Sequence, residues 1–240
     1  MIINQAENPK QLCEQLAAIK IDIHAVHGRQ RKKEVERWTA CRLLAALAHT
    51  SQLSFSVSVQ HEDRPDFRIL TASGEVGLEA TTAMSENYAE CIVLRDKEFP
   101  GALINMGRFL WGTRKMTKDE MRAMLESGKL SGPPLRDGKL ECNWASYICS
   151  CVDAKQLTLT KLEFRRYARN WLVIHDNLPL PSYSLMDGSE LLMSMLKIRR
   201  SGPSMFDEIF IEHTDTILCI TKNSVTRLPI PDLWGIRRRK

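Results

Sequence analysis

The chain has 240 residues, 43% of them hydrophobic and 26% charged, which suits one folded domain, or one domain with an inserted subdomain, and excludes disordered and fibrous classes. No apolar run approaches the roughly 18 residues that a membrane span needs, and the start, MIINQAENPK, lacks a basic region leading into a hydrophobic stretch, so the expectation is a cytoplasmic protein with no membrane partner. The net charge of +5 and pI of about 8.8 are compatible with a nucleic-acid partner without requiring one.

Near the start, His24 and His27 lie close together but lack cysteines at zinc spacing, which favours a surface or core role over metal binding. A basic cluster of Arg29, Arg31, Lys32 and Lys33 follows and could meet phosphate. From Lys33 to His49 apolar residues recur at helical spacing, with Trp38, Cys41, Ala45 and Ala48 on one stripe. Leu53 to Val59 alternates apolar and small polar residues, the period of a half-buried strand. Two short runs, Asp66 to Leu70 and Val76 to Thr81, flank Thr71-Ala72-Ser73-Gly74-Glu75 and predict a hairpin. If it is symmetric about Ala72 and Ser73, Ile69 pairs with Val76 and Phe67 with Leu78, and Asp66 faces Glu79. A slip of one residue would send every side chain to the wrong face, so the matching of apolar partners supports this register.

Thr117 to Ser127 reads as a short helix, with Thr117 and Glu120 at capping-box spacing. Gly128, Gly132, Pro133, Pro134 and Gly138 then break the chain, and residues of about 97 to 141 are expected to form an insertion or lid within a single domain spanning 1–240. A second amphipathic helix is expected over Trp144 to Lys155, and a fully buried strand over Trp171 to His175. Phe206 to Ile211 and Thr216 to Thr221 are later strand candidates, and Arg237, Arg238, Arg239 and Lys240 form a second basic cluster. Helix, three strands, helix, strand implies an α/β fold. The seven cysteines are odd in number and form no C-x-x-C pair, so reduced, mostly buried thiols are expected.

Facing carboxylates on neighbouring strands have Cβ atoms about 4.5–5.5 Å apart, where like charges destabilise a sheet. A divalent cation would offset that, because hard oxygen ligands on a rigid hairpin suit Mg²⁺. The plainer alternative is a solvated hairpin whose acids point outward. Phosphate-loop, nucleophile-elbow and zinc-helix motifs are absent from the sequence.

Pro65-Asp66-Phe67, a hairpin, then Gly77-Leu78-Glu79-Ala80-Thr81 resembles the signature of the PD-(D/E)xK nuclease superfamily. The resemblance implies a restriction-endonuclease-like fold, a central mixed β-sheet flanked by helices. It also implies metal-dependent hydrolysis of phosphodiester bonds in nucleic acid, with DNA the expected substrate. Asp66, Glu79 and the Ala80 carbonyl would hold Mg²⁺ or Mn²⁺. Thr81 occupies the position of the signature's lysine, so that group must come from elsewhere. Lysines of this superfamily migrate onto a neighbouring helix, and Trp144, Ile148, Cys151 and Lys155 follow the spacing of one helical stripe, which nominates Lys155. A lysine there could instead end a helix and snorkel to water. Residues 167–174 resemble the closing helix and strand of the superfamily. A further acid often comes from the first long helix. Glu34 and Glu36 are both placed for it, with Glu36 carried as the candidate, although first-turn acids also simply favour the helix dipole. Arg31, Lys32 and Lys33 are the candidate phosphate contacts. The alternative is a catalytically inactive member that binds nucleic acid or a protein partner, a second copy of the chain included.

Overall fold

The computed structural model describes residues 1–21, 29–130, 138–199 and 206–235, with backbone alone for 29–31 and 198–199. His24, His27 and the cluster Arg237, Arg238, Arg239 and Lys240 lie outside the described residues.

The chain opens with β1 (Ile2–Ala6) and α1 (Pro9–Ala17). The start of α1 is set by the Asn8 side chain, which accepts from Gln11 N at 3.0 Å, and by Pro9 at the first helical position. α2 (Arg29–His49) carries the predicted first helix, and its apolar stripe is buried from Ala40 to Ala48. The strands β2 (Val57–His61), β3 (Phe67–Thr71) and β4 (Gly74–Ala83) follow as an antiparallel meander. β2 begins later than the alternation at Leu53 predicts, although Ser54 O already accepts the Ala72 N–H of the hairpin turn at 3.1 Å.

Next come α3 (Glu86–Glu98), α4 (Lys118–Ser127) and α5 (Lys139–Leu159). The capping box at Thr117 is present, with both of its reciprocal bonds to Glu120. β5 (Arg169–Asp176), α6 (Leu185–Arg199), β6 (Glu208–His213), β7 (Thr216–Ile220) and β8 (Val225–Pro229) complete the chain. Among the described residues the protein is therefore α/β, with six α-helices and one eight-stranded sheet whose strand order is β1 to β8 in sequence. The sheet is mixed: β5 and β6 run parallel, and the pairs from β1 to β4 and from β6 to β8 run antiparallel. Asn170, next to the start of β5, approaches Gly77, whereas Asn177, just past its end, donates to Ala83 O at 3.1 Å. β4 and β5 therefore also run the same way.

Two compact units divide the chain. The first comprises Met1–Thr82, Cys151–Asp176 and Arg200–Lys240, and the second Ala83–Ser150 and Asn177–Arg199. The expected insertion at about 97–141 falls inside the second unit, whose core gathers Cys91, Leu94, Phe109, Met121 and Leu125. In the first unit, α1 and α2 pack against one face of the sheet, burying Phe67, Ile69, Leu78, Ala80, Trp171, Val173 and Phe210. Strand alternation sends the intervening residues to the other face. All the described cysteines are free thiols, four of them buried. No helix among the described residues is long and apolar enough to cross a membrane.

The α2 face also holds a charged network. Glu212, only 3% exposed, receives Arg42 Nε at 2.7 Å, is bonded to His175 Nδ1, and lies 3.5 Å from Thr39 Oγ1. Burial alone would push its carboxyl up, but the hydrogen bond and charge of His175, with Arg42 beside it, hold it below the usual glutamate value. A carboxyl lowered in this way binds protons more weakly when folded than when unfolded. Its stabilisation is present above the unfolded pKa of about 4.3 and is lost as pH falls further. Glu212→Gln leaves Arg42 without its buried counter-charge and is expected to cost about 3–5 kcal/mol in urea unfolding at neutral pH. The gap should narrow at acidic pH, and a variant as stable as the parent at neutral pH would show that the network contributes nothing.

Candidate active site

The hairpin register is the predicted one: Phe67 pairs with Leu78, Ile69 with Val76 and Leu70 with Glu75. Gly74 closes the turn at φ of 127°, a conformation that glycine supplies without strain. One step beyond Phe67, the same register brings Asp66 to Glu79. Asp66 Oδ2 accepts the Ala80 N–H at 2.8 Å, so the acid is tied to the neighbouring strand rather than pointing freely into solvent.

The chain leading to Asp66 is fixed from both sides. Glu62 N donates to Asp66 O at 2.9 Å, and Arg165 N donates to Arg64 O at 3.1 Å. Tyr167 and Pro65 lie directly over Gly77, where an added Cβ would stand 2.6 Å from the tyrosine ring and 2.9 Å from Pro65 Cγ. Only a residue without a side chain permits that approach. The Tyr167 hydroxyl donates to Glu62 at 2.6 Å, anchoring the cover.

Leu78 and Ala80 belong to the core on the α2 face, so Glu79 points the opposite way. Its carboxylate, in a residue 5% exposed, accepts from Lys155 Nζ at 2.6 Å. Lys155 lies on the α5 stripe that buries Trp144 and Ile148 completely, and its side chain is only 19% exposed. It does not snorkel to water as a helix-end lysine would. Burial pushes the Asp66 carboxyl up to about 6, the Ala80 N–H opposes this, the Glu36 charge adds to it, and Lys155 and Lys32 work against it. Glu79 is raised as well, first by burial and then by Asp66, with Lys155 opposing. The two acids and one ammonium therefore form a cluster in which buried negative charge exceeds positive.

The spacing of Glu34 and Glu36 leaves their roles open, and the contacts separate them. Glu34 turns to Arg37 at 3.1 Å, whereas Glu36 is buried, bridges to Lys32 at 3.4 Å and is felt by Asp66. Lys32 and Lys33 are exposed. The Arg31 side chain lies outside the described residues.

Protein-family models, curated proteins and solved structures yield no match to this chain. What can be said of its chemistry comes from its own residues.

Among the described residues no group of three or more His, Cys, Asp or Glu side chains converges as a metal site. That leaves the carboxylate pair, and Mg²⁺ typically takes one or two carboxylates while keeping several waters. The pair fits such an ion in donor type and in its excess of buried negative charge.

The sequence reading missed two histidine–carboxylate pairs at the ends of β5 and β6. His175-Asp176 and Glu212-His213 sit side by side in parallel register, so each histidine meets the acid of the other strand. His175 meets Glu212 on the α2 face, and on the opposite face His213 Nδ1 lies 2.8 Å from Asp176 Oδ2. The dipeptides H-D and E-H are the available signal, but they become partners only once the two strands are known to be parallel neighbours.

Proposed function

We propose that the first unit is a metal-dependent nuclease related to the PD-(D/E)xK superfamily, hydrolysing phosphodiester bonds in DNA. The observation that carries this reading is the buried Asp66–Glu79 pair on adjacent strands with the Lys155 ammonium on Glu79. The order α2, β2, β3, β4, α5, β5 with β4 parallel to β5 supports the finer, restriction-endonuclease-like assignment of the fold. Asp66 and Glu79 would hold Mg²⁺ or Mn²⁺, with the Ala80 carbonyl as a third oxygen. When bound, such an ion lowers the pKa of water and neutralises charge on the phosphate.

The chain's own residues divide the remaining work. The Ala80 N–H keeps Asp66 in one rotamer, Lys155 orients Glu79 and presents positive charge where a phosphate would sit, and Glu36 adds negative charge beside Asp66. Lys32 and Lys33 are placed for the outer phosphates. Such contacts set affinity and its salt dependence rather than sequence preference.

The decisive assay is dialysis against chelator followed by Mg²⁺ or Mn²⁺ add-back with plasmid and single-stranded DNA. Cleavage that appears only with metal is expected, and its absence on any nucleic acid would remove the proposal. One observation favours a second reading, a catalytically inactive module that binds nucleic acid or a protein partner. Thr81 stands in the signature's lysine position, and Lys155 already satisfies Glu79. Metal-independent DNA binding without cleavage would select that reading.

A further inference from the structure

The second unit carries a cavity of about 470 Å³, within the range of about 300–1,000 Å³ usual for small-ligand sites. Arg108, Met116, Met124 and Lys129 line it, together with Arg114 and Glu120. Many cations of this unit already hold acids: Arg114 pairs with Glu120, Lys115 with Glu90, and Arg122 with Glu98 and Asp119. Arg108 and Lys129 are exposed and form no ion pair among the described residues. Three cations against one acid leave the cavity with two positive charges in excess. Arg108 is held in place: Asn105 Oδ1 accepts the Gly107 N–H at 3.1 Å, Arg108 N donates to Asn105 O at 3.1 Å, and Phe109 is fully buried.

Thr113 lines the same cavity, and Trp111 stands two residues before it. Tryptophan is usually well buried, yet Trp111 is 46% exposed, on a turn closed by Thr113 N donating to Leu110 O at 3.1 Å. Its backbone N–H donates to Asn143 Oδ1 at 2.6 Å, and its ring meets Tyr147 in a T-shaped contact with centroids 5.0 Å apart. Tyr147 is itself pinned, donating its hydroxyl to Phe109 O at 3.0 Å. The indole is thus fixed on one side and open to solvent on another, so a ligand that stacks on it meets a surface already ordered.

Unpaired cations beside a rigid, exposed aromatic ring suit an unpaired nucleic-acid strand, whose phosphates follow the cations while a base stacks on the ring. Duplex DNA keeps its base faces inside the stack. A free nucleotide fits less well, because small-ligand sites bury most of their ligand and Trp111 is not part of the cavity wall. We propose that the second unit binds single-stranded DNA here, with a phosphate drawn into the cavity by Arg108 and Lys129 and a base on Trp111. The choice of DNA rests on the nuclease reading, whereas the stacking and phosphate contacts rest on the second unit's own residues.

The test measures binding of fluorescein-labelled oligo(dT) to the whole protein in chelator, which silences metal-dependent cleavage, over a series of salt concentrations. Trp111→Ala should weaken binding about 10-fold, the scale of one lost base stack, without changing the slope of log K against log salt. Trp111→Phe should recover most of that loss. Arg108→Gln and Lys129→Gln should each weaken binding and flatten the slope by about 0.7, the value for one phosphate of a single strand. Urea midpoints equal to that of the parent check that the variants fold. Unchanged affinity in Trp111→Ala and in the Arg108→Gln, Lys129→Gln double variant overturns the inference, as does failure of the parent to bind oligo(dT). A loss in Trp111→Ala that is as large on duplex DNA also overturns it, by reducing Trp111 to a structural role. Each of these results leaves the nuclease reading to be decided by metal add-back. Single-strand binding with the expected variant effects, in a protein that cleaves nothing with metal, would remove the nuclease reading and leave this inference standing.

Discussion

Under the proposed nuclease reading, Glu79→Gln is expected to lower metal-dependent DNA hydrolysis by on the order of 10³-fold, since it would remove a charged oxygen from the centre that supplies several kcal/mol of charge stabilisation. The same substitution removes the counter-charge of Lys155, so loss of activity must be separated from loss of fold. Asp66→Asn makes that separation. Its amide oxygen can still accept the Ala80 N–H that now goes to Asp66 Oδ2, yet it carries no charge.

The pH dependence of Asp66→Asn has a definite sign. Burial raises the Asp66 carboxyl to about 6, so the folded protein holds that proton more tightly than the unfolded chain does. The resulting stabilisation is complete below the unfolded pKa of about 3.9 and is lost as pH rises through about 6. At neutral pH the ionised acid therefore costs up to roughly 3 kcal/mol in the absence of metal. Asp66→Asn should be more stable than the parent by up to that amount at pH 7.5, and no more stable near pH 4. Added Mg²⁺ should close the gap by stabilising only the parent. Urea unfolding of both proteins at the two pH values, with and without Mg²⁺, reads all three effects. A metal-free variant several kcal/mol weaker at pH 7.5 would mark Asp66 as a structural partner of buried cations instead.

Much of this site is legible in the sequence because the hairpin has only one register that pairs Phe67 with Leu78 and Ile69 with Val76, and that register carries Asp66 to Glu79. Lys155 is legible only in part: its stripe with Trp144, Ile148 and Cys151 nominates it, but the same spacing suits a helix-end lysine that snorkels to water, and the contact with Glu79 separates the two. Periodicity fails where elements are short, as in five-residue β1 and nine-residue α1. It also gave no sign of α3, α6 and β8. The choice between Glu34 and Glu36 was hidden because both satisfy helical spacing, and what separates them is Arg37, which captures Glu34. The Asp176–His213 pair was out of reach for a different reason. Its partners come from two parallel strands whose adjacency is a property of the sheet, and neither residue has a local signature.

Lys155 is where catalytic and structural roles diverge most clearly. Its ammonium lies 2.6 Å from a carboxylate buried beneath it, so Lys155→Met leaves Glu79 with no cation in contact. In the metal-free protein that should cost about 3–5 kcal/mol at pH 8. The loss should shrink as pH falls, because Glu79, already raised by burial and by Asp66, takes a proton more readily than an ordinary glutamate. Arginine keeps the charge but offers a planar fork on a three-methylene stem in place of a compact, rotatable ammonium on four. Lys155→Arg should therefore recover much of the stability. Activity should not follow stability: if Lys155 works on the phosphate or the water, both variants should lose roughly 10²-fold or more in rate. Lysine is no metal ligand, so calorimetric titration of the methionine variant with Mg²⁺ should show affinity equal to or tighter than that of the parent, whereas Glu79→Gln should lose affinity and rate together. Full activity in Lys155→Met would remove the lysine from the chemistry and leave Asp66 and Glu79 to act with another cation. Equal recovery of rate and stability by arginine would reduce Lys155 to a counter-charge that holds Glu79 in place.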